Sequence, residues 1–144
     1  AKNLAEMFGI KVPIVAVVIG EGGSGGALGI GVADSILMLE NSVYSVISPE
    51  GCATILFNDS KKAPDAARSL KIDSISLKSF GIIDGIVKEP LGGAHRDLKQ
   101  ASINLKTAVL KEFKKIDKFE IENLLEKRYN KYRKIGEFFE KEGE

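Results

Sequence analysis

A glycine-rich segment is the part of this sequence best suited to chemistry. Residues 19–34 read Ile-Gly-Glu-Gly-Gly-Ser-Gly-Gly-Ala-Leu-Gly-Ile-Gly-Val-Ala-Asp. The apolar run from Ile14 to Ile19 predicts a buried strand, and the small residues from Ala27 to Ala33 predict a closely packed helix. The first turn of a helix has N–H groups without helical partners, and the helix dipole makes that end positive. We therefore expect the segment to bind an anion, or an oxygen that becomes negative during a reaction.

One short motif within this segment is typical of dinucleotide binding. Gly20 to Gly25 fits the pattern G-x-G-x-x-G, and Glu40 follows about 20 residues later, as the ribose contact in such a site requires. A P-loop is excluded, because no Gly-Lys-Ser or Gly-Lys-Thr follows the glycines. Patterns of this kind also arise by chance where glycine is frequent, so the motif remains one alternative.

A second motif favours a different reaction. Gly22 to Gly26 fits G-x-S-x-G, the nucleophile elbow of hydrolases, with Ser24 as the nucleophile. Asp34 or Asp84 and then His95 follow in the order that a hydrolase triad would need. Serine is also a preferred helix-capping residue, and we expect Ser24 to cap the helix rather than to act as a nucleophile.

Two longer stretches carry a resemblance to a known family. Tyr44–Ala53, within the run Ile14 to Leu56, and Glu89–Arg96 are similar to the alpha subunits of bacterial-type acetyl-CoA carboxylase carboxyltransferases. A weaker similarity extends through Gly81–Asp84 to about Tyr132. The resemblance implies an α/β, crotonase-like (ClpP/crotonase) fold, a spiral of β-β-α units with long C-terminal helices. It also implies that residues 1–144 are the C-terminal portion of one crotonase-like carboxyltransferase domain, with an N-terminal part before Ala1.

The function implied by the resemblance is carboxyl transfer from carboxybiotin to acetyl-CoA. The product is malonyl-CoA, in the first committed step of fatty acid synthesis. Matching the family's glycine run makes the backbone amides of Gly25 and Gly26 the oxyanion hole for the biotin ureido oxygen. The adjoining substrate-binding positions would be Gly22, Gly23, Ser24 and Ala27. No metal ligand and no cofactor covalently bound to this chain is expected.

The resemblance also implies a set of partners. A biotin carboxyl carrier protein would present carboxybiotin, and a carboxyltransferase beta subunit would bind most of the coenzyme A. Biotin carboxylase, which uses ATP, would complete the enzyme, and the carboxyltransferase would be an alpha2beta2 hetero-oligomer.

Two alternatives to this function stay open. Another crotonase-type enzyme, a hydratase or isomerase, would need a carboxylate near the glycines, and the candidates are Glu21 and Glu50. Ala27 and Leu28 stand where such hydratases carry a catalytic carboxylate, which argues against hydration. The chain is alternatively a subunit-assembly portion that is inactive alone. A purely structural interpretation of Gly25 and Gly26 is that they only let the helix pack closely on the sheet.

Composition excludes several classes of protein but does not choose among enzymes. The formal net charge is +1, with 44% hydrophobic and 28% charged residues, as in ordinary globular domains. This charge gives no reason to expect a nucleic-acid partner, and no apolar run is long enough for a membrane span. The single cysteine, Cys52, excludes an internal disulfide, so we expect a cytoplasmic location. We expect His95, the only histidine, to have a structural or subunit-contact role.

The rest of the sequence predicts alternating strands and helices. The predicted strands are Ile36 to Glu40, Val43 to Ile47 and Ile82 to Val87. Predicted helices begin at Pro49, with Ser48 as its cap, and cover Pro64 to Leu70, Ser74 to Phe80, Leu98 to Ile116 and Ile121 to about Glu140. Gly81 is expected to stop the helix that ends at Phe80. The last helix has an apolar face made by Leu124, Leu125, Tyr129, Tyr132, Ile135 and Phe139.

Overall fold

A computed structural model describes residues 2–136, which form five strands and seven α-helices. The strands are β1 (Val15–Val18), β2 (Glu21–Gly23), β3 (Ser35–Leu39), β4 (Val43–Ser45) and β5 (Gly85–Val87). The helices are α1 (Lys2–Phe8), α2 (Ser24–Gly31), α3 (Pro49–Phe57), α4 (Ala63–Leu70), α5 (Ser74–Ser79), α6 (Leu98–Ile116) and α7 (Ile121–Arg133). Short 3-10 helices occupy Ser60–Lys62 and Ala94–Arg96.

The strands form two small parallel sheets, so the predicted α/β class is confirmed. One sheet has the order β1-β3-β5, and the other pairs β2 with β4. Along the chain, β1 and β2 enter different sheets and are followed by α2, and β3 and β4 repeat this pattern before α3. Each β-β-α unit therefore contributes one strand to each sheet and then one helix.

The larger sheet is covered on both faces, as parallel sheets generally are. All five residues of β3 are buried at its centre. On one face Ile36 and Met38 pack with Val18 and Ile83, and on the other Leu37 and Leu39 pack against α6. Ile30, near the end of α2, packs against the first of these clusters.

The C-terminal helices agree with the predicted positions, except at the end of α7. Helix α6 has the predicted bounds, whereas α7 ends at Arg133 instead of about Glu140. The predicted face is only partly buried, because Leu124 is 4% exposed and Tyr129 is 52% exposed. Phe139 and the predicted end of this helix lie outside the described residues.

Several local predictions are confirmed in detail. The Ser48 hydroxyl accepts a hydrogen bond from the Gly51 amide at 3.1 Å and caps α3, which begins at Pro49. Gly81 follows the end of α5 in a left-handed conformation, with φ of 70°. The strand predicted from Ile82 is shorter, because the Ile82 amide still bonds to Leu77 of the preceding helix. Among residues 2–136, no helix is both long enough and apolar enough to cross a membrane.

Candidate functional site

The glycine segment leads from β1 through a short second strand into α2. Gly22 lies in β2, opposite Tyr44 of β4. Helix α2 then begins at Ser24, whose φ of 51° is left-handed. The expectation that Ser24 caps this helix is wrong, since the cap position is Gly23 and no side chain makes a cap hydrogen bond there. The abrupt turn from strand to helix places Ser24 one residue too late to cap.

The dinucleotide-binding alternative does not fit this geometry. That motif needs its glycines in one turn between a strand and a helix, but β2 separates Gly20 from α2. Glu40 is also engaged elsewhere, because its carboxylate pairs with Lys88 at 2.6 Å and accepts from the Glu89 amide at 3.4 Å. The hydrogen bond from Lys88 holds the pKa of Glu40 below its usual value.

The hydrolase alternative fits locally but not as a triad. A strand, a residue with positive φ and a helix are the parts of a nucleophile elbow. Both candidate carboxylates are committed, however, since Asp34 pairs with Arg128 and Asp84 pairs with Lys131. His95 lies in another loop and lines a separate cavity with Glu40 and Glu89.

Four glycines of this segment fall into two structural groups. A β-carbon at Gly22 would lie 2.8 Å from Tyr44 Cδ2, and one at Gly31 would lie 3.1 Å from the Tyr44 hydroxyl. These two glycines make room for Tyr44. A β-carbon at Gly25 or Gly26 would meet nothing within 4 Å among the described residues. Close packing inside this part of the chain therefore does not explain Gly25 and Gly26, which face open space.

An apolar cavity of about 470 Å³ adjoins α2. Ala27, Leu28 and Val46 are among its lining residues, and no described Asp, Glu, His, Lys or Arg side chain lines it. Glu21 and Glu50 are exposed and lie outside this lining. Gly23 and Ser24 are exposed at the start of the helix, whereas Gly22 and Ala27 are buried.

Two tyrosine hydroxyls hold the backbone of α2. Tyr44 donates to the Ala27 carbonyl at 2.6 Å. Tyr132 accepts from the Ala33 amide at 3.0 Å, and its hydroxyl lies against the carbonyls of Ala33, at 2.8 Å, and of Gly31. Burial raises the pKa of both phenols, so both hydroxyls remain protonated at neutral pH.

Arg128 is the residue at this site that sequence reasoning missed. Its side chain is fully buried, and all five N–H donors are used. Two bond to Asp34, at 2.9 and 2.8 Å, and three bond to the carbonyls of Phe8, Ile10 and Val12. Its position in the middle of the predicted apolar face could have indicated a buried ion pair, because an Arg that is buried needs a carboxylate partner.

The loop after β5 is closed by a carboxylate. Glu89 accepts from the Asn41 and Ala94 amides, both at 2.8 Å. Burial alone would raise the pKa of Glu89, but these two hydrogen bonds outweigh it and lower the pKa. Leu91, at the tip of this loop, is fully exposed. No three His, Cys, Asp or Glu side chains within residues 2–136 come together as a metal site requires.

The fold and the glycine helix define a class of α/β protein built from β-β-α units, with glycines in the first turn of one helix. Comparison with known sequences identifies the family. Residues 1–136 match the acetyl co-enzyme A carboxylase carboxyltransferase-like family, and the chain belongs to it. The predicted family resemblance is thereby confirmed.

Similar proteins include three named acetyl-coenzyme A carboxylase carboxyl transferase subunit alpha. That of Fusobacterium nucleatum is 58% identical over 138 residues, which are 96% of this chain and 44% of the relative. The Bacillus cytotoxicus protein is 56% identical over 137 residues, 95% of this chain and 42% of the relative. The Staphylococcus haemolyticus protein is 51% identical over 141 residues, 98% and 45% respectively. The chain thus spans less than half the length of these curated relatives.

Proposed function

We propose that this chain is part of the alpha subunit of an acetyl-CoA carboxylase carboxyltransferase, transferring a carboxyl group from carboxybiotin to acetyl-CoA. Membership of the family and the names of its relatives support the reaction. The two β-β-α units support a crotonase-like spiral, of which residues 1–144 would be the C-terminal portion. The proposal keeps the cytoplasmic location expected from the sequence.

The observation that carries the proposal is the open space at Gly25 and Gly26. Both are in the first turn of α2, where backbone N–H groups have no helical acceptor. Because no described atom lies where their β-carbons would be, a planar group can approach these amides closely. The amides, with the helix dipole, would stabilise the negative charge that develops on a ureido oxygen. Removing one such donor typically costs about 3 kcal/mol of transition-state stabilisation.

The chain's residues would bind and stabilise rather than move a proton. Carboxybiotin, brought by the carrier protein, would supply the carboxyl group and a ureido nitrogen to accept the methyl proton of acetyl-CoA. A side-chain base is then not needed, in agreement with an apolar cavity beside α2 that no carboxylate lines. The same observation argues against a hydratase or isomerase, since Glu21 and Glu50 lie outside that cavity.

The partners in this proposal follow from the reaction. A beta subunit would bind acetyl-CoA and stabilise its enolate, in an alpha2beta2 assembly. The biotin carboxyl carrier protein and biotin carboxylase would supply the carboxylated carrier. A portion that only assembles the complex would instead tolerate changes at Gly25 and Gly26.

The test is a glycine-to-alanine series in the full-length subunit, assembled with its beta subunit. Gly25→Ala and Gly26→Ala add a methyl group in open space, and alanine is favoured over glycine in a helix by about 1 kcal/mol. We therefore expect both variants to fold at least as well as the wild type but to lose most carboxyl transfer. Coenzyme A binding should be unchanged, because the beta subunit provides it.

Gly29→Ala is the matched control in the same helix. Its β-carbon would make an ordinary contact, 3.9 Å from Leu4 Cδ2. This variant should keep both stability and transfer activity. Equal losses of transfer in all three variants, or no loss at Gly25 and Gly26, would show that the amides of α2 do not bind the reacting group.

A further inference from the structure

Helix α2 has low intrinsic stability. Four of its eight residues are glycine, each costing about 1 kcal/mol relative to alanine in a helix. Its start has no side-chain cap, and Ala27 is its only buried residue. A helix of this length and composition depends on tertiary contacts to remain formed.

Ile30 packs against the core, and two tyrosines on different elements hydrogen-bond to the backbone of the helix or of the residues that follow it. Tyr44, in β4, bonds to the Ala27 carbonyl in the middle of the helix. Tyr132, in α7, bonds to the backbone at the end of the helix, around Gly31 and Ala33. The protein contains three tyrosines, and two of them are used on this one helix.

Both tyrosines are themselves fixed. The Tyr44 ring lies against Gly22, where a β-carbon would be 2.8 Å from it, and the Tyr44 amide bonds to the Ile72 carbonyl. Tyr132 is one helical turn from Arg128, whose buried pair with Asp34 ties α7 to the sheet. Each hydroxyl is therefore positioned by further contacts of its own residue or helix.

We propose that Tyr44 and Tyr132 are positioning residues, whose hydroxyls fix α2 so that the Gly25 and Gly26 amides point at the reacting oxygen. The inference rests on the proposed function for its effect on catalysis. Neither hydroxyl needs to touch a substrate. Each bonds to a backbone group of α2 that lies beyond Gly26, so it controls where the helix sits rather than what the helix binds.

The experiment compares Tyr44→Phe, Tyr132→Phe and Tyr129→Phe in the full-length subunit within its complex. Each change removes one hydroxyl and keeps the ring. Tyr129 is the matched control, because it lies in α7 but is 52% exposed, and its hydroxyl makes no hydrogen bond within residues 2–136. Hydrogen exchange of the peptide covering residues 24–34 and steady-state carboxyl transfer are measured for each.

We expect exchange in this peptide to become roughly five-fold faster in Tyr44→Phe and Tyr132→Phe, since each loses one hydrogen bond. We expect kcat to fall by roughly 10- to 100-fold, because small displacements of catalytic groups have effects of this size, with KM for acetyl-CoA unchanged. Tyr129→Phe should change neither quantity. A purely structural role would instead leave kcat per folded molecule unchanged.

Gly31→Ala provides a second route if a phenylalanine variant does not fold. Its β-carbon would lie 3.1 Å from the Tyr44 hydroxyl and push it from Ala27, while alanine favours the helix. Transfer should fall without a loss of thermal stability. Unchanged exchange in residues 24–34, or a kcat like that of Tyr129→Phe, would overturn the inference. If Gly25→Ala and Gly26→Ala also leave transfer intact, the proposed function fails instead, and the exchange data still decide whether the tyrosines hold α2.

Discussion

Replacing Arg128 by Met tests the main connection between α7 and the sheet. Met keeps an unbranched, flexible stem but removes the charge and all five donors. Asp34, whose side chain is 5% exposed, would then be a buried carboxylate without its cation. Removing one partner of such a buried pair costs about 3–5 kcal/mol, a large share of a total stability of roughly 5–15 kcal/mol.

The assay is urea unfolding of the full-length protein, followed by circular dichroism. Arg133→Met, in the same helix but exposed, is the control and should change the free energy of unfolding by less than about 0.5 kcal/mol. Arg128→Lys should lie between the two, since an ammonium group has three donors and cannot form the bidentate contact with Asp34.

A double variant separates the charge from the packing. With Asp34→Asn added to Arg128→Met, no unpaired buried charge remains. The double variant should therefore be less destabilised than the sum of the single ones, by about 1 kcal/mol or more. If Arg128→Met costs less than about 1 kcal/mol, or if the two changes simply add, the pair is not what fixes α7.

Two further outcomes follow from the local geometry. The left-handed φ of Ser24 disfavours a β-carbon by about 1 kcal/mol, so Ser24→Gly should be neutral or stabilising. Ser24→Ala removes no cap hydrogen bond and should change the free energy of unfolding little. Complete loss of carboxyl transfer in a folded Ser24→Ala complex would instead support Ser24 as a nucleophile. Glu89 has a pKa below its usual 4.5, so it stabilises the fold above that pH and the contribution disappears as the pH falls through the lowered pKa. Glu89→Gln should thus be less stable than wild type at pH 7, and the difference in urea midpoint should shrink on acidification below 4.5; a constant difference would contradict this.

The elements with strong local signals could be predicted from the sequence. Ser48 before Pro49 and the glycine at position 81 each specify a helix end through their own chemistry, and both are confirmed. The apolar run of β3 is equally clear, since a strand buried on both faces has no polar side to obscure it. The motifs Tyr44–Ala53 and Glu89–Arg96 also predicted the family correctly.

The details of the site could not be predicted, because they depend on residues distant in the chain. Strand β2 forms from three residues, Glu21–Gly23, and it exists only because β4 pairs with it. Ser24 was predicted to be a cap because serine is a preferred capping residue, but the turn that β2 imposes places the cap position at Gly23. Arg128 is 94 residues from its partner Asp34, and Tyr132 is 99 residues from its partner Ala33, so no local pattern connects them.

One helix connects the scaffold to the proposed site through a repeated contact. Asp34 precedes β3 and accepts from the Ile14 amide, and Asp84 precedes β5 and accepts from the Ile36 amide. Each carboxylate thereby ties the start of its own strand to the neighbouring strand. Helix α7 supplies a cation to both, Arg128 to Asp34 at 2.8 Å and Lys131 to Asp84 at 2.5 Å.

The next residue along α7 is Tyr132, which holds the end of α2. Residues 128, 131 and 132 share one face of the helix, so the contacts to the sheet and to α2 are set together. A displacement of α7 would loosen both at once. Lys131 is 17% exposed and Asp84 is 36% exposed, so their pair contributes less stability than the buried pair of Arg128. Arg128 therefore supports both the packing of α7 on the sheet and, through α7, the contact of Tyr132 with α2.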